Sequence, residues 1–360
     1  MTKRILVIGS GIVGASIAYH LAKAGANVAV LEANETPGGV ATPQSWAWIN
    51  ASWGNPKPYF DLRQQSISDW HQCDREVPGL VVNWCGSLLW DLPEQQLVEF
   101  VEQQSGWGYG IRLLRAQEAQ VLEPNVVNLP SFVAHAEGEG CVDPAAAATA
   151  FLEAAKRLGA DVIPKARVKW LRERNGAVVG VMTAEGDLDA DEVVLAVGVE
   201  TNDVLKSIGL TLDLHSPPGL LIHTQPAPEL ISRMIIAPEM HVRQLASGHL
   251  IAGSDFRDEG FVNNPKTAAA AMMETLRQLV SGTTELQLDH FTFGQRPMPA
   301  DGFPCCGRIA DRAGLYVAVT HSGVTLAPAI GKLCAAELLQ NARHPLLVPF
   351  TPDRLQPAPV

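Results

Sequence analysis

Three glycines and one acid carry the first readable chemistry. Gly9-Ser10-Gly11-Ile12-Val13-Gly14 follows directly on the apolar run Ile5-Leu6-Val7-Ile8, and Glu32 closes a second run, Val28-Ala29-Val30-Leu31. This spacing suits the pyrophosphate of a dinucleotide. Gly9 permits a tight turn out of a strand. Gly11 lets the backbone approach the pyrophosphate with no Cβ in the way, and Gly14 lets the following helix pack close to a sheet. The free N–H groups at that helix's start attract phosphate. Glu32 accepts hydrogen bonds from the adenosine ribose hydroxyls and repels a 2′-phosphate, which leaves NAD or FAD and disfavours NADP.

These residues need a strand, a helix and a second strand to hold them. The pattern predicts a strand over 4–8, a helix to about Ala24 with Ile17, Ala18, Leu21 and Ala22 inward and Gly25 as its stop, and a strand over 28–31. Beyond Glu32, the stretch 37–45 is small, polar and glycine-rich. It suits a chain running along the ribityl of a flavin better than the continued βαβ of an NAD dehydrogenase. Gly140-Cys141-Val142-Asp143-Pro144 opens a helix over about 145–158. Strands are expected over 160–164, 166–171, 177–182 and 188–198, the last ending in the buried-type run Val193 to Gly198. Further strands are expected over 220–224, 240–243, 249–252 and 314–319, with helices near 61–76 and 266–281. The segment 320–331 leads into a helix to about Leu339, with Pro328 suiting its first turn. The tail 356–360 is expected to fray.

Composition narrows the partners. The 360 residues fit two domains or one large one, and 47% apolar with 18% charged residues excludes a disordered chain. A net charge of −11 disfavours nucleic acid as a partner. The six cysteines are sparse and show no CxxC, which favours a reducing compartment, the cytoplasm. The basic start breaks at Gly9 too early for a signal peptide, and no run of about 18 apolar residues predicts a membrane span. No Ser-His-Asp signature, HExxH motif or metal-ligand spacing is found, so no metal site is expected.

Taken in chain order, the unit 9–32, the turn 140–144, the strand end 195–198, Gly294-Gln295-Arg296-Pro297, Asp301-Gly302 and the segment 321–331 resemble the D-amino-acid oxidase family of FAD-dependent oxidoreductases, the group with glycine oxidase and sarcosine oxidase. The resemblance implies an α/β fold. A Rossmann-like FAD-binding domain (1–60, 135–215, 290–360) is interleaved with an α+β substrate domain (61–134, 216–289) carrying a mixed, mainly antiparallel sheet. It implies FAD contacts at Gly9, Gly11, Ile12, Val13, Gly14, Glu32, Ala33, Ala41, Thr42, Ser45, Trp46, Val168, Ala196, Gly198, Ser322, Gly323, Val324 and Thr325. Ser322 to Thr325 resembles the family's helix start beneath the flavin pyrimidine, where N-terminal amides stabilise negative charge on the reduced ring.

The catalytic candidates are Arg296, His321, His241 and Trp48. Arg296 stands where family members hold the substrate carboxylate, and a guanidinium fork matches a carboxylate bidentately. His241 falls where relatives often carry tyrosine or another polar residue; it is either a substrate contact or a plain strand residue. His321 lies near the flavin or simply ends a strand. Trp46, Trp48 and Trp53 either line an aromatic pocket or pack in the core. Sarcosine-type relatives attach FAD through a cysteine, but that position falls on Arg296 or Pro297 here, so non-covalent FAD is expected. Cys305 and Cys306 are expected as two buried thiols, since a vicinal disulfide is strained. The implied reaction is hydride transfer from a carbon bearing a neutral amine to flavin N5, giving an imine that hydrolyses. O2 is the expected acceptor, producing H2O2. The alternative is a dehydrogenase feeding a quinone or an electron-accepting partner subunit. A homo-oligomer stays open.

Overall fold

A computed structural model describes residues 3–253, 262 and 264–355; the tail 356–360 lies outside the described residues. Uninterrupted runs of Ile, Leu and Val belong in a sheet covered on both faces. Strands Leu315–Val319, Glu192–Leu195, Arg4–Ile8, Asn27–Leu31 and Asp161–Ile163 lie parallel in that order, with Cys305–Arg308 antiparallel on the edge beside Leu315–Val319. Alternate residues feed two cores. Ile5 and Val7 pack with the helices Ile12–Lys23, Pro144–Arg157 and Gly323–Gln340, and Leu6 and Ile8 pack with the antiparallel meander 170–189. Gly9 turns the chain out of the first strand at φ +96°, and a methyl on Gly14 would lie 2.0 Å from the Gly9 carbonyl oxygen.

A second sheet has eight strands, in the order Leu288–Gln295, Pro218–Thr224, Leu250–Gly253, His241–Gln244, Met234–Ile236, Ser87–Leu89, Phe132–Ala136 and Ile111–Arg115. Only Met234–Ile236 and Ser87–Leu89 pair in parallel, so the sheet is mixed and mainly antiparallel. A short sheet of Trp48–Ile49, Gly140–Val142 and Val82–Asn83 lies between the chain segments that feed the two large ones. Among the described residues, no helix is long and apolar enough to cross a membrane.

Several element boundaries differ from the sequence reading. The strand expected over 166–171 is Trp170–Arg174 instead. Residues before it are pulled off the ladder, because Lys165 and Ala166 donate backbone hydrogen bonds to Asn34 and Glu32 carbonyls at 3.0 and 2.8 Å. The single strand expected over 188–198 splits into Asp187–Asp189 and Glu192–Leu195. Strands Phe132–Ala136 and Leu288–Gln295, both in the eight-stranded sheet, span residues 135 and 290.

Pro328 sits inside helix Gly323–Gln340, in its second turn rather than its first. Its missing N–H leaves the Val324 carbonyl without the usual partner. Helix Lys57–Glu76 supplies the replacements. Trp70 Nε1 donates to the carbonyls of Val324 and Thr325 at 3.1 and 3.0 Å. Ser66 Oγ donates to the Thr325 carbonyl at 2.6 Å and accepts from Ala329 N at 3.3 Å. Trp70→Phe keeps most of the buried volume and removes that donor. It should lower stability by about 1–3 kcal/mol, read as an earlier urea midpoint at unchanged slope.

Candidate active site

The C-terminal ends of the parallel strands are where open α/β sheets bind ligands. A cleft opens there, lined by Gly9, Gly11, Ile12, Val13, Glu32, Ala33, Ala41, Thr42, Ser45, Val168, Ala196, Gly198, Gly323 and Val324. Gly14 lies beneath it against Gly9 and Ala196. Glu32 is buried and pinned: Ser10 donates to its Oε2 from N and Oγ at 3.1 and 2.5 Å, and Asn34 N donates to its Oε1 at 2.8 Å. Thr42 Oγ1 accepts from Ile12 N at 3.0 Å, which ties the glycine-rich stretch to the helix start.

A second cavity adjoins this cleft. Both are lined by Ala41, Ser45, Gln295, Pro297, His321, Gly323 and Val324, so the two form one elongated site. The second cavity gathers all four catalytic candidates, Arg296, His321, His241 and Trp48, with Trp46, Trp53, Ser322 and Thr325. Trp46, Trp48 and His241 form one aromatic cluster. The two indoles meet edge to face at 5.8 Å between centroids, and His241 lies 5.7 and 6.4 Å from them. Trp48 is held from behind. Its Nε1 donates to Glu139 Oε2 at 2.8 Å, and Ser87 Oγ and Tyr109 Oη donate to the same carboxylate at 2.5 and 2.6 Å. Burial raises the Glu139 carboxyl above its usual range, against the pull of these donors.

Arg63 was not singled out by the sequence, yet it lines this cavity and is fully buried. Its Nε and Nη2 donate to the carbonyl and side-chain oxygens of Asn50 at 2.9 and 2.6 Å. Its Nη1 donates to Ser322 Oγ at 2.8 Å and Tyr59 Oη at 3.2 Å. All four acceptors are neutral. One signal in the sequence could have found it: Arg63 shares a helical stripe with Tyr59, Ser66, Ile67 and Trp70, all buried on helix Lys57–Glu76.

Burial, then the charges of Arg296 and Arg63, hold His321 down at a pKa of about 4. The imidazole is therefore neutral at physiological pH. Since its folded pKa lies below the value near 6.5 of an unfolded chain, the unfolded state binds the proton more readily, and the stability it contributes is lost as pH falls from about 6.5 toward 4. His321→Asn should therefore lose less stability than the parent between pH 7 and about pH 4.5. Urea unfolding at the two pH values measures the difference.

The family model described as FAD dependent oxidoreductase, DAO, matches residues 4–337. The chain belongs to that family. Glycine oxidase of Bacillus licheniformis is 28% identical to it over 344 residues, covering 93% of each chain. Glycine oxidase from Geobacillus kaustophilus has the same fold at TM-score 0.84 and 24% identity, over 98% of this chain and 99% of that one. L-proline dehydrogenase from P. horikoshii matches at TM-score 0.87 and 23% identity, over 98% and 97%.

This DAO-family oxidoreductase is an FAD-dependent enzyme of the amine or amino-acid oxidase and dehydrogenase type, and its cleft fits the cofactor. Helix Ile12–Lys23 begins on Gly11 with no acid in its first turn; Thr42 takes the Ile12 N–H, and Gly11, Ile12 and Val13 at this positive end line the cleft, as a pyrophosphate site requires. Glu32 and the first residues of helix Gly323–Gln340 both line the cleft. Among the described residues, no group of three or more His, Cys, Asp or Glu side chains could hold a metal ion.

Proposed function

We propose that this oxidoreductase oxidises the C–N bond of a small amine or amino acid bearing a carboxylate, with O2 as acceptor and H2O2 as product. The observation that carries this reading is the meeting of Arg296, His241, Trp48 and His321 around one cavity at the end of the cofactor cleft. When bound, FAD supplies N5 as hydride acceptor. Arg296 receives the substrate carboxylate and fixes the orientation of the carbon beside it. The aromatic wall of Trp46, Trp48 and His241 excludes water from that carbon. His321 stays neutral beside Arg296 and adds no further positive charge to the cavity. The substrate amine gives its proton to solvent and enters in the neutral form, and the imine product leaves and is hydrolysed by water. Amides of residues 323–325, backed by Arg63 through Ser322, put positive potential where negative charge collects.

The six-stranded sheet and its helices form the cofactor body and the eight-stranded sheet the substrate body, interleaved along the chain. FAD is held without a covalent link: Cys305 and Cys306 are free, fully buried thiols that line neither cavity. Free thiols at all six cysteines go with a reducing compartment, the cytoplasm.

The test is anaerobic mixing of the holoenzyme with small amines, glycine, sarcosine, D- and L-amino acids and cyclic imino acids. Bleaching of the flavin absorbance by one of them, with peroxide released on re-aeration, is expected. Bleaching without peroxide means a dehydrogenase that passes electrons to a quinone or a partner subunit. No bleaching by any compound defeats the proposal.

A further inference from the structure

Strands Pro218–Thr224 and Leu288–Gln295 pair antiparallel, and Gly219 stands directly opposite Gly294. Opposed residues in such a pair point to the same face of the sheet. The two glycines therefore leave a patch with no side chains, and two neighbours occupy it. A methyl on Gly219 would lie 2.5 Å from Nη2, 2.8 Å from Cζ and 2.9 Å from Nε of Arg296. Those three atoms belong to the guanidinium plane, so the group rests against the Gly219 backbone. A methyl on Gly294 would lie 2.5 Å from Oε1 and 3.0 Å from Cβ of Gln44. Neither glycine has a positive φ, so what these positions need is space and not an unusual backbone. Arg296 N donates to the Pro217 carbonyl at 3.0 Å, which turns the arginine back over the neighbouring strand. Both glycines, Arg296 and Gln44 line the second cavity.

We propose that the Gly219–Gly294 pair is a specificity-determining floor that seats the Arg296 guanidinium low against the sheet and keeps the space above it open for a carboxylate. Gly219 is a positioning residue and acts through Arg296. A methyl at 219 has only the far end of a flexible side chain to displace, so it lifts the guanidinium into the volume a carboxylate needs. The inference rests on reading Arg296 as the carboxylate site.

Acetate titrated into the oxidised holoenzyme, followed by the flavin's visible spectrum, tests it without turnover. Gly219→Ala should raise the acetate Kd about tenfold or more, the loss expected when a charged hydrogen-bonding group is displaced. Its Kd for FAD should equal the parent's. In an Arg296→Ala background, Gly219→Ala should change the acetate Kd no further, since both act on one interaction. If the parent binds no acetate, or Arg296→Ala binds it as tightly as the parent, the reading of Arg296 falls and this inference with it. If Arg296→Ala weakens acetate and Gly219→Ala does not, the floor is overturned while the carboxylate role stands. Should Gly219→Ala fail to fold, the double variant decides. Folding of Gly219→Ala/Arg296→Ala supports the contact, because the methyl then has room; failure of both overturns it.

Discussion

Arg296→Ala is expected to lower kcat/KM for a carboxylate-bearing substrate by about 30-fold to several thousand-fold, the range that follows from losing one partner of a desolvated charge pair at about 2–5 kcal/mol. Most of the loss should appear in KM, because the carboxylate is held alike in ground state and transition state. Arg296→Lys should recover only part of it, since an ammonium cannot present two parallel donors to a carboxylate. The control is a matching amine that lacks the carboxylate, on which Arg296→Ala should act no worse than the parent. Equal losses on both compounds would show that Arg296 does something other than hold the carboxylate. Activity gained on the plain amine would be consistent with the proposed role, since the cavity then lacks the positive charge of the guanidinium.

Arg63→Ala should cost the fold about 3–5 kcal/mol, because it leaves a cavity and strips the donors from four oxygens, three of them on the buried residues Asn50 and Tyr59. Arg63→Met keeps most of the volume and still strips the donors, so about 1–3 kcal/mol is expected there. The effect reaches the cofactor through two routes visible in the structure. Asn50 lines the second cavity, and Ser322 immediately precedes helix Gly323–Gln340, whose first residues line both cavities. Weaker FAD retention should therefore accompany the lost stability. Urea unfolding and FAD titration of the two variants measure both. An Arg63→Met protein with the parent's urea midpoint and FAD affinity would rule this role out.

How much of this was legible in the sequence depended on how local the contacts are. The unit from Arg4 to Glu32 was readable because strand, turn, helix and acid lie within one short segment and each glycine has a separate steric reason. Arg296 and the segment 321–331 were readable through family resemblance, and their meeting with Trp48 and His241 needed the folded chain. Arg63 was hidden for a physical reason. In Asp61-Leu62-Arg63-Gln64-Gln65 a lone arginine reads as part of a solvated helix face, and only the acceptors on Asn50 and Ser322, distant in sequence, make its burial tolerable. Strands Ser87–Leu89 and Ile111–Arg115 were missed because they are short and their periodicity is weak. Pro328 was placed one turn too early, since a proline inside a helix is stable here only because Trp70 and Ser66, from another helix, satisfy the groups it orphans.

The order of strands in the parallel sheet also bears on how the protein is made. Arg4–Ile8 pairs with Glu192–Leu195, and that strand pairs in turn with Leu315–Val319. The first helix packs beside the last in one core. On the ribosome, the nucleotide-binding turn emerges within the first few dozen residues, yet its apolar neighbours stay uncovered until residue 340 has been translated. Nascent chains must carry that exposed surface for most of their synthesis, the condition under which chaperones are engaged. A chain cut short before helix Gly323–Gln340 lacks residues that line both cavities, so cofactor capture would report on translation through that helix.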